Sequence, residues 1–326
     1  MDTRHPDPDA GKASLVPLPA SWPRRRFLLA GVGGSALLAA GLAGAQNKVL
    51  QPGPFYMGAR LLARINETGF PDLRADNFGP MTLFVAPVAV AVSPQRDIYI
   101  ADAGLSALFR YDPMQDAMSV VRGVRVTQQT RLTALSDGSV VVANGGAVPA
   151  TRFSRTGRPM QALNPQLGSA FYDEVAVDTT SGRYFGLDRV QRRLEEIMPH
   201  GGGATILPEG LLPEQPITMA MDGRMLYVAG RACQCVVAIE MFAGRNVTVV
   251  AEEAGLVSAL AAGDGWLVVA DARDRVIRVY RQGTMLAETE FAGLGLQEPR
   301  GMAIANQTLY IVDTAARRLL TFRMRA

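Results

Sequence analysis

Three residue types that usually carry chemistry are scarce in this chain of 326 residues. Its 33 basic residues include only two lysines, Lys12 and Lys48, and it has two histidines, His5 and His200, and two cysteines, Cys233 and Cys235. So few histidines leave no Ser-His-Asp set to assemble, and two thiols fall short of the four ligands of structural zinc. Strong net charge is also missing. The formal charge is +3, and residues 1–45 carry five bases against three acids, which leaves the remainder at +1. That near-neutral body excludes a nucleic-acid or anionic-membrane footprint. Gly201-Gly-Gly203 lacks the Lys-Ser/Thr and following helix of a phosphate loop. Beyond the N-terminal run, no segment is apolar enough to cross a bilayer.

What is abundant is repetition. One phrase recurs six times: an alternating apolar strand, a turn, then a second apolar strand that ends in a polar or small residue. The clearest copies are Pro87-Val-Ala-Val-Ala-Val followed by Ile98-Tyr-Ile-Ala-Asp102, and Pro299-Arg-Gly-Met-Ala-Ile followed by Leu309-Tyr-Ile-Val-Asp313. The terminal column reads Asp102, Asn144, Asp188, Gly230, Asp271 and Asp313, at intervals of 42, 44, 42, 41 and 42 residues. A period near forty with short strands and turn residues is the signature of propeller blades. The sequence therefore predicts an all-β, six-bladed β-propeller of four-stranded antiparallel blades.

The fifth unit divides into strand a at 256–261, strand b at 266–270, strand c at 276–280 and strand d at 285–291. A sheet of this kind covers its faces with its neighbours, and the ring must close to hide its edges. The last unit stops at strand c, residues 319–322, while residues 81–85 precede the first strand a without a blade of their own. The expectation is that 81–85 supply the outer strand of the last blade. Each column aspartate is expected to accept backbone N–H groups in the turn that follows.

The phrase Pro-x-Gly-φ-Ala-φ…φ-Tyr-φ-φ-Asp, with φ aliphatic, resembles the NHL repeat. Pro299, Gly301, Ala303, Tyr310 and Asp313 carry it, with Arg318, Leu319 and Phe322 downstream, and Pro87, Ala89, Ala91, Tyr99, Asp102 and Tyr111 match in the first unit. In the third, Asp188, Arg193, Leu194 and Ile197 match, whereas Asn144 and Gly230 depart from the aspartate column. The resemblance covers roughly 81–323 and implies fold, not activity. Enzymes on related wheels offer contrasts. Gluconolactonase- and paraoxonase-like propellers hold an axial divalent cation with Glu, Asn and Asp side chains. An NHL-type lyase that cleaves peptidyl-glycine intermediates needs histidines for zinc.

The N-terminus reads as an address. Arg24-Arg25-Arg26-Phe27-Leu28 precedes a Gly/Ala-rich apolar run that closes on Ala43-Gly44-Ala45. This resembles a twin-arginine export signal, with Pro23 where Ser or Thr is usual. It implies a periplasmic protein that folds before export, or an inner-membrane anchored one if the segment stays uncleaved. The expected organisation is a signal peptide at 1–45, an N-terminal arm or linker at 46–80 that contains the breaker Gln51-Pro-Gly-Pro54, and the propeller at 81–326.

In such a wheel the d-to-a and b-to-c connections share one face, the usual ligand face of propellers. Two d-to-a connections are long, 160–173 and 207–215. The first ends in Phe171, Tyr172, Asp173 and Glu174. Arg131, Glu174 and Arg300 begin strands a and are expected to meet near the axis, either as a structural charge cluster or as a pocket for an anionic ligand or acidic chain. An arginine-flanked glutamate is the wrong field for a hard cation, so no metal and no cofactor is expected. His200 falls in a c-to-d turn on the opposite face. Cys233 and Cys235, two apart in one expected strand, read as small buried thiols, as a redox-active bridge, or as a metal contact. The function expected is a non-enzymatic scaffold with no catalytic residues that binds a periplasmic protein, peptide or glycan. The alternative is a metal-dependent lactonase-type hydrolase or lyase using Glu174 and Asp173.

Overall fold

A computed structural model describes residues 49–53, 84–115, 117–164, 171–198, 204–208, 210–242 and 245–325. The leader and His200 lie outside these residues. Six separate four-stranded antiparallel sheets form, each meandering from strand a to strand d. Strands a are Pro87–Val92, Thr130–Ala134, Glu174–Asp178, Pro216–Asp222, Val257–Gly263 and Pro299–Ala305. They contact one another in succession, and the last touches the first, so the ring is closed around its innermost strands. In the fifth blade strands b, c and d are Trp266–Asp271, Val276–Arg281 and Thr284–Glu290, close to the sequence expectation.

The core is divided as the repeat demands. Six apolar clusters fill the six junctions between adjacent blades. Strands b are mostly buried, and Ile98–Asp102, Val140–Asn144 and Trp266–Asp271 are so along their whole length, because both of their faces meet neighbouring blades. Strands d present one exposed face, as in Thr284–Glu290. Gly301 shows how tight the inner ring is. A Cβ there would lie 2.6 Å from Ala89 Cα in the first blade, so the glycine of the Pro-x-Gly phrase permits the last blade to seat against the first.

The closure differs from expectation in its strand. The outer strand of the last blade is Leu50–Pro52, paired as Leu50↔Met324, Gln51↔Arg323 and Pro52↔Phe322, and not residues 81–85. Arg325 N donates to Val49 O (2.9 Å) and Gly53 N to Thr321 O (2.8 Å), which extends the seam at both ends. Pro52 is tolerated because an edge strand can leave one N–H position unused. Residues 81–83 lie outside the described residues, and 84–85 are not free to form a ladder. Val85 N and Ala86 N both donate to the Asp102 carboxylate (2.7 and 3.0 Å). Phe84 is fully buried and meets Phe109 edge-on at 6.0 Å, a wedge between the first and last blades.

Three of the column aspartates clip their blades twice, whereas Asp188 holds only its own turn through Gln191 N. Asp313 accepts Gln297 N and Glu298 N from the loop before strand a, and Ala316 N from its own turn. Asp102 does the same with Val85, Ala86 and Leu105, and Asp271 with Leu256, Arg273 and Asp274. The expected turn contacts are present, and the loop contacts are added to them. On the opposite face the a-to-b turns are riveted in sequence: Gly265 N donates to Asp222 and Gln307 N to Asp264, both at 2.7 Å.

Candidate functional site

Small side chains on strands a, among them Ala89, Ala134, Ala176 and Ala261, leave a cavity of about 320 Å³ along the axis. It opens toward the d-to-a and b-to-c face into a second cavity of about 500 Å³. Arg131 and Arg300 line both.

Local backbone irregularity builds this mouth. In the fourth, fifth and sixth blades the ladder between strands a and b slips at Pro216/Thr218, Val257/Ala259 and Pro299/Gly301. Each slip is a bulge, which re-aims the extra side chain. The bulged residues are Ile217, Ser258 and Arg300, and all three line the mouth. The b-to-c turns supply the rest of its charge through Arg189, Arg231 and Arg275. Five guanidiniums thus surround the opening with one lining carboxylate, Glu298.

Partners differ around this rim. Arg189 Nη2 binds Asp173 Oδ1 at 2.8 Å. Arg300 forks onto Glu298 Oε1 at 2.7–2.8 Å while both stay largely exposed. Arg275 stacks over Phe291 at 5.7 Å. Arg131 Nε lies 4.0 Å from Glu174 Oε1, a loose pair. Among the described residues the exposed Arg231 guanidinium has no carboxylate partner. Counting Asp173, Glu174 and Glu298 against the five arginines, two positive charges remain.

Glu174 stands where expected, at the start of the third strand a, but it is nearly buried. Thr218 Oγ1 lies 3.1 and 2.9 Å from its two oxygens, and Met219 N donates to Oε2 at 2.9 Å. Burial pushes this carboxyl above its ordinary value, opposed by Arg131, by the Met219 and Thr218 hydrogen bonds and by Arg189. Its oxygens are therefore spent on the fourth blade. Asp173, its neighbour in sequence, is buried against Arg189. A divalent cation would need these carboxylates free and joined by a third donor. Among the described residues no three His, Cys, Asp or Glu side chains come together in that way, so the donor set does not fit an axial metal.

The structure brings Arg131 and Glu174 together and leaves Arg300 on Glu298. Phe171 is 38% exposed, whereas Tyr172 is fully buried, its hydroxyl on Glu195 Oε2 at 2.7 Å. Burial and that carboxylate push the Tyr172 phenol upward. Tyr172 is thus core and not contact surface. The long 160–173 connection begins later than expected, because Pro159–Leu163 is a strand. Arg189, Arg231 and Arg275 were missed. Their signal is positional: Arg189 and Arg231 directly follow the column residue that ends strand b.

The cysteines do not share a strand. Cys233 belongs to the b-to-c turn and Cys235 opens the strand Cys235–Glu240. The turn draws their Cα atoms to 5.1 Å and the sulfurs are joined in a disulfide.

No family model matches the sequence, and no curated protein aligns with it. Solved structures are similar in shape. A gluconolactonase of Xanthomonas campestris superposes with a TM-score of 0.57 at 15% identity, over 85% of this chain and 97% of that one. Virginiamycin B lyase of Staphylococcus aureus, bound to quinupristin, gives 0.53 at 15% identity over 72% and 80%. A chain of a nidogen/laminin complex gives 0.55 at 16% identity over 69% and 88%. At such identities the likeness is one of fold, the six-bladed propeller.

Proposed function

We propose that this protein is an exported, non-enzymatic binding propeller of the cell envelope. Its arginine-lined mouth holds an acidic segment of a partner protein. One observation carries the reading: five arginines from five blades converge on one opening, and their charge exceeds that of the carboxylates beside them. Guanidiniums recognise carboxylates through short, forked hydrogen bonds. A concave, low-dielectric wall focuses their field outward. The exposed Arg231 and Arg300 meet the ligand first, and Arg131 stands behind them at the channel. The leader resembling a twin-arginine signal supports the cell-envelope location, and the NHL-like repeats support a rigid platform.

The lactonase-type alternative draws less support, because Glu174 and Asp173 are both committed to protein partners. The test uses a hexaglutamate peptide as probe, measured by calorimetry at low and at physiological salt. Binding is expected, weakened at the higher salt and lowered at least tenfold by Arg300→Glu or Arg231→Glu. Equal binding by these variants, or preference for a hexalysine peptide, overturns the reading. Preference for an anionic glycan over hexaglutamate would overturn the choice of a protein partner.

A further inference from the structure

The fourth blade breaks the pattern where its strand b ends. In the first, fifth and sixth blades an aspartate there ties the b-to-c turn to the loop before strand a. Gly230 has no side chain to do so, and the space is not empty. A Cβ on Gly230 would lie 2.7 Å from Cys233 Sγ and 2.7 Å from Pro213 Cβ. The disulfide sulfur and the loop proline occupy the volume that a carboxylate takes in those three blades. Cys233 Sγ also lies 3.7 Å from the Gly230 carbonyl oxygen.

The turn held in this way has two attachments. It carries Arg231, which lines the mouth, with Arg231 N bound to Gln215 O at 2.9 Å. It also carries Gln234, between the two cysteines and at a positive φ of 50°. The Gln234 carbonyl accepts Ala254 N at 2.5 Å, and its Oε1 accepts Arg273 Nη1 at 2.8 Å. Ala254 lies in the connection that leads into the fifth blade, and Arg273 in the fifth blade's b-to-c turn. The bridged turn is thus a strut between two blades at the rim of the mouth. A bridge spanning a sequence separation of two constrains the unfolded chain very little. Its effect falls on the turn rather than on global stability. Cys233 is exposed and Cys235 is 7% exposed, so Cys233 is the member of the pair that the surface offers to an incoming thiolate.

We propose that Cys233–Cys235 is a thiol–disulfide exchange site whose substrate is a dithiol, and that its reduction slackens the strut carrying Arg231 and Gln234. One thiolate of the dithiol attacks Cys233 Sγ, and Cys235 leaves as a thiolate. The second thiol of the reductant then attacks its own sulfur in the mixed disulfide and releases Cys233. Two electrons pass to the protein. The reductant ends as a disulfide, and its two protons end on Cys233 and Cys235. The positive charge of Arg231 in the same turn favours the thiolate forms. The consequence for ligand binding rests on the function proposed above, whereas the exchange and the slackening do not.

The test treats the full-length oxidised chain with dithiothreitol without denaturant. Thiols are counted by alkylation and mass, amide exchange is followed at Ala254, and binding of hexaglutamate is measured. Reduction is expected to expose two alkylatable thiols, to leave the melting temperature within a few degrees, and to speed exchange at Ala254 at least tenfold. Hexaglutamate affinity should fall several-fold and recover on reoxidation. The variant Cys233→Ala/Cys235→Ala should match the reduced state. Sulfurs that resist the dithiol in the folded protein overturn the exchange site, and unchanged exchange at Ala254 after reduction overturns the strut. If the oxidised chain binds no hexaglutamate the function proposal fails, while thiol counting and Ala254 exchange still judge this one.

Discussion

Leu50 is paired with Met324, and both side chains are almost completely buried in the junction between the fifth and sixth blades. This pair joins the two extremities of the described chain in one sheet. Leu50→Ala is expected to cost about 2–5 kcal/mol, the range for a buried leucine whose site cannot collapse. Removing residues 1–53 should do more, by baring the edge of Arg318–Met324 to other chains. Removing 1–45 alone should not. Thermal unfolding and light scattering of the two truncations check this, and equal behaviour would refute the seam.

Glu174 sets a pH dependence. The folded protein holds its proton more tightly than the unfolded chain does, since burial raises the carboxyl above its ordinary 4.5. Stability contributed by this group is therefore greatest in acid and declines as pH rises through the elevated value. Glu174→Gln keeps an acceptor for Met219 N and removes the charge. Relative to wild type, the variant should gain melting temperature between pH 4 and pH 8, and it should bind hexaglutamate more tightly near neutrality because Arg131 is released. A difference in melting temperature that does not vary with pH would contradict the assignment.

Arg278 gathers three carboxylates: Glu288 at 2.6 Å, Asp271 at 2.9 Å and Asp274 at 3.1 Å. Burial draws its pKa down, and the hydrogen bonds to Glu288, Asp271 and Asp274 more than restore it. Asp271 is fully buried, so Arg278→Met would strand a charge and is expected to cost about 3–5 kcal/mol. Arg278→Lys should fall between, since a compact ammonium cannot span the same fork. Chemical denaturation of both variants measures the order.

Asp102 closes three backbone N–H groups, those of Val85, Ala86 and Leu105. Asp102→Ala would leave them without their acceptor at a junction wedged by Phe84. The expected loss is on the order of 3 kcal/mol, with faster amide exchange at Val85 and Ala86 than at Gln297 and Glu298, whose clip on Asp313 is untouched. Uniform exchange at all four amides would speak against independent clips.

The architecture was legible because the strands are short, apolar and periodic, and six copies reinforce one another. The closing strand was not. Leu50-Gln-Pro is too brief to show alternation and is followed by Gly-Pro, which reads as a stop, whereas the apolar pair Phe84-Val85 looks like strand until Asp102 takes its amides. Arg131 and Glu174 could be placed from their positions at the starts of strands a. Arg189, Arg231 and Arg275 could not, because which turn residues face the axis depends on bulges and turn conformations. The expected placement of both cysteines in one strand failed for a related reason, while the bridge weighed for them is present. Strand geometry keeps such residues about 6.6 Å apart, and the turn at Cys233 removes that spacing.

The seam at Leu50–Pro52 also governs when the molecule can be finished. Its two halves are made far apart in translation: Leu50 emerges long before Met324. Until then the sixth sheet is incomplete and the nascent N-terminal segment has nothing to dock on. Sealing of the ring consequently waits until Arg318–Met324 has been made, and its rate carries the entropy of bringing together partners this distant in the chain.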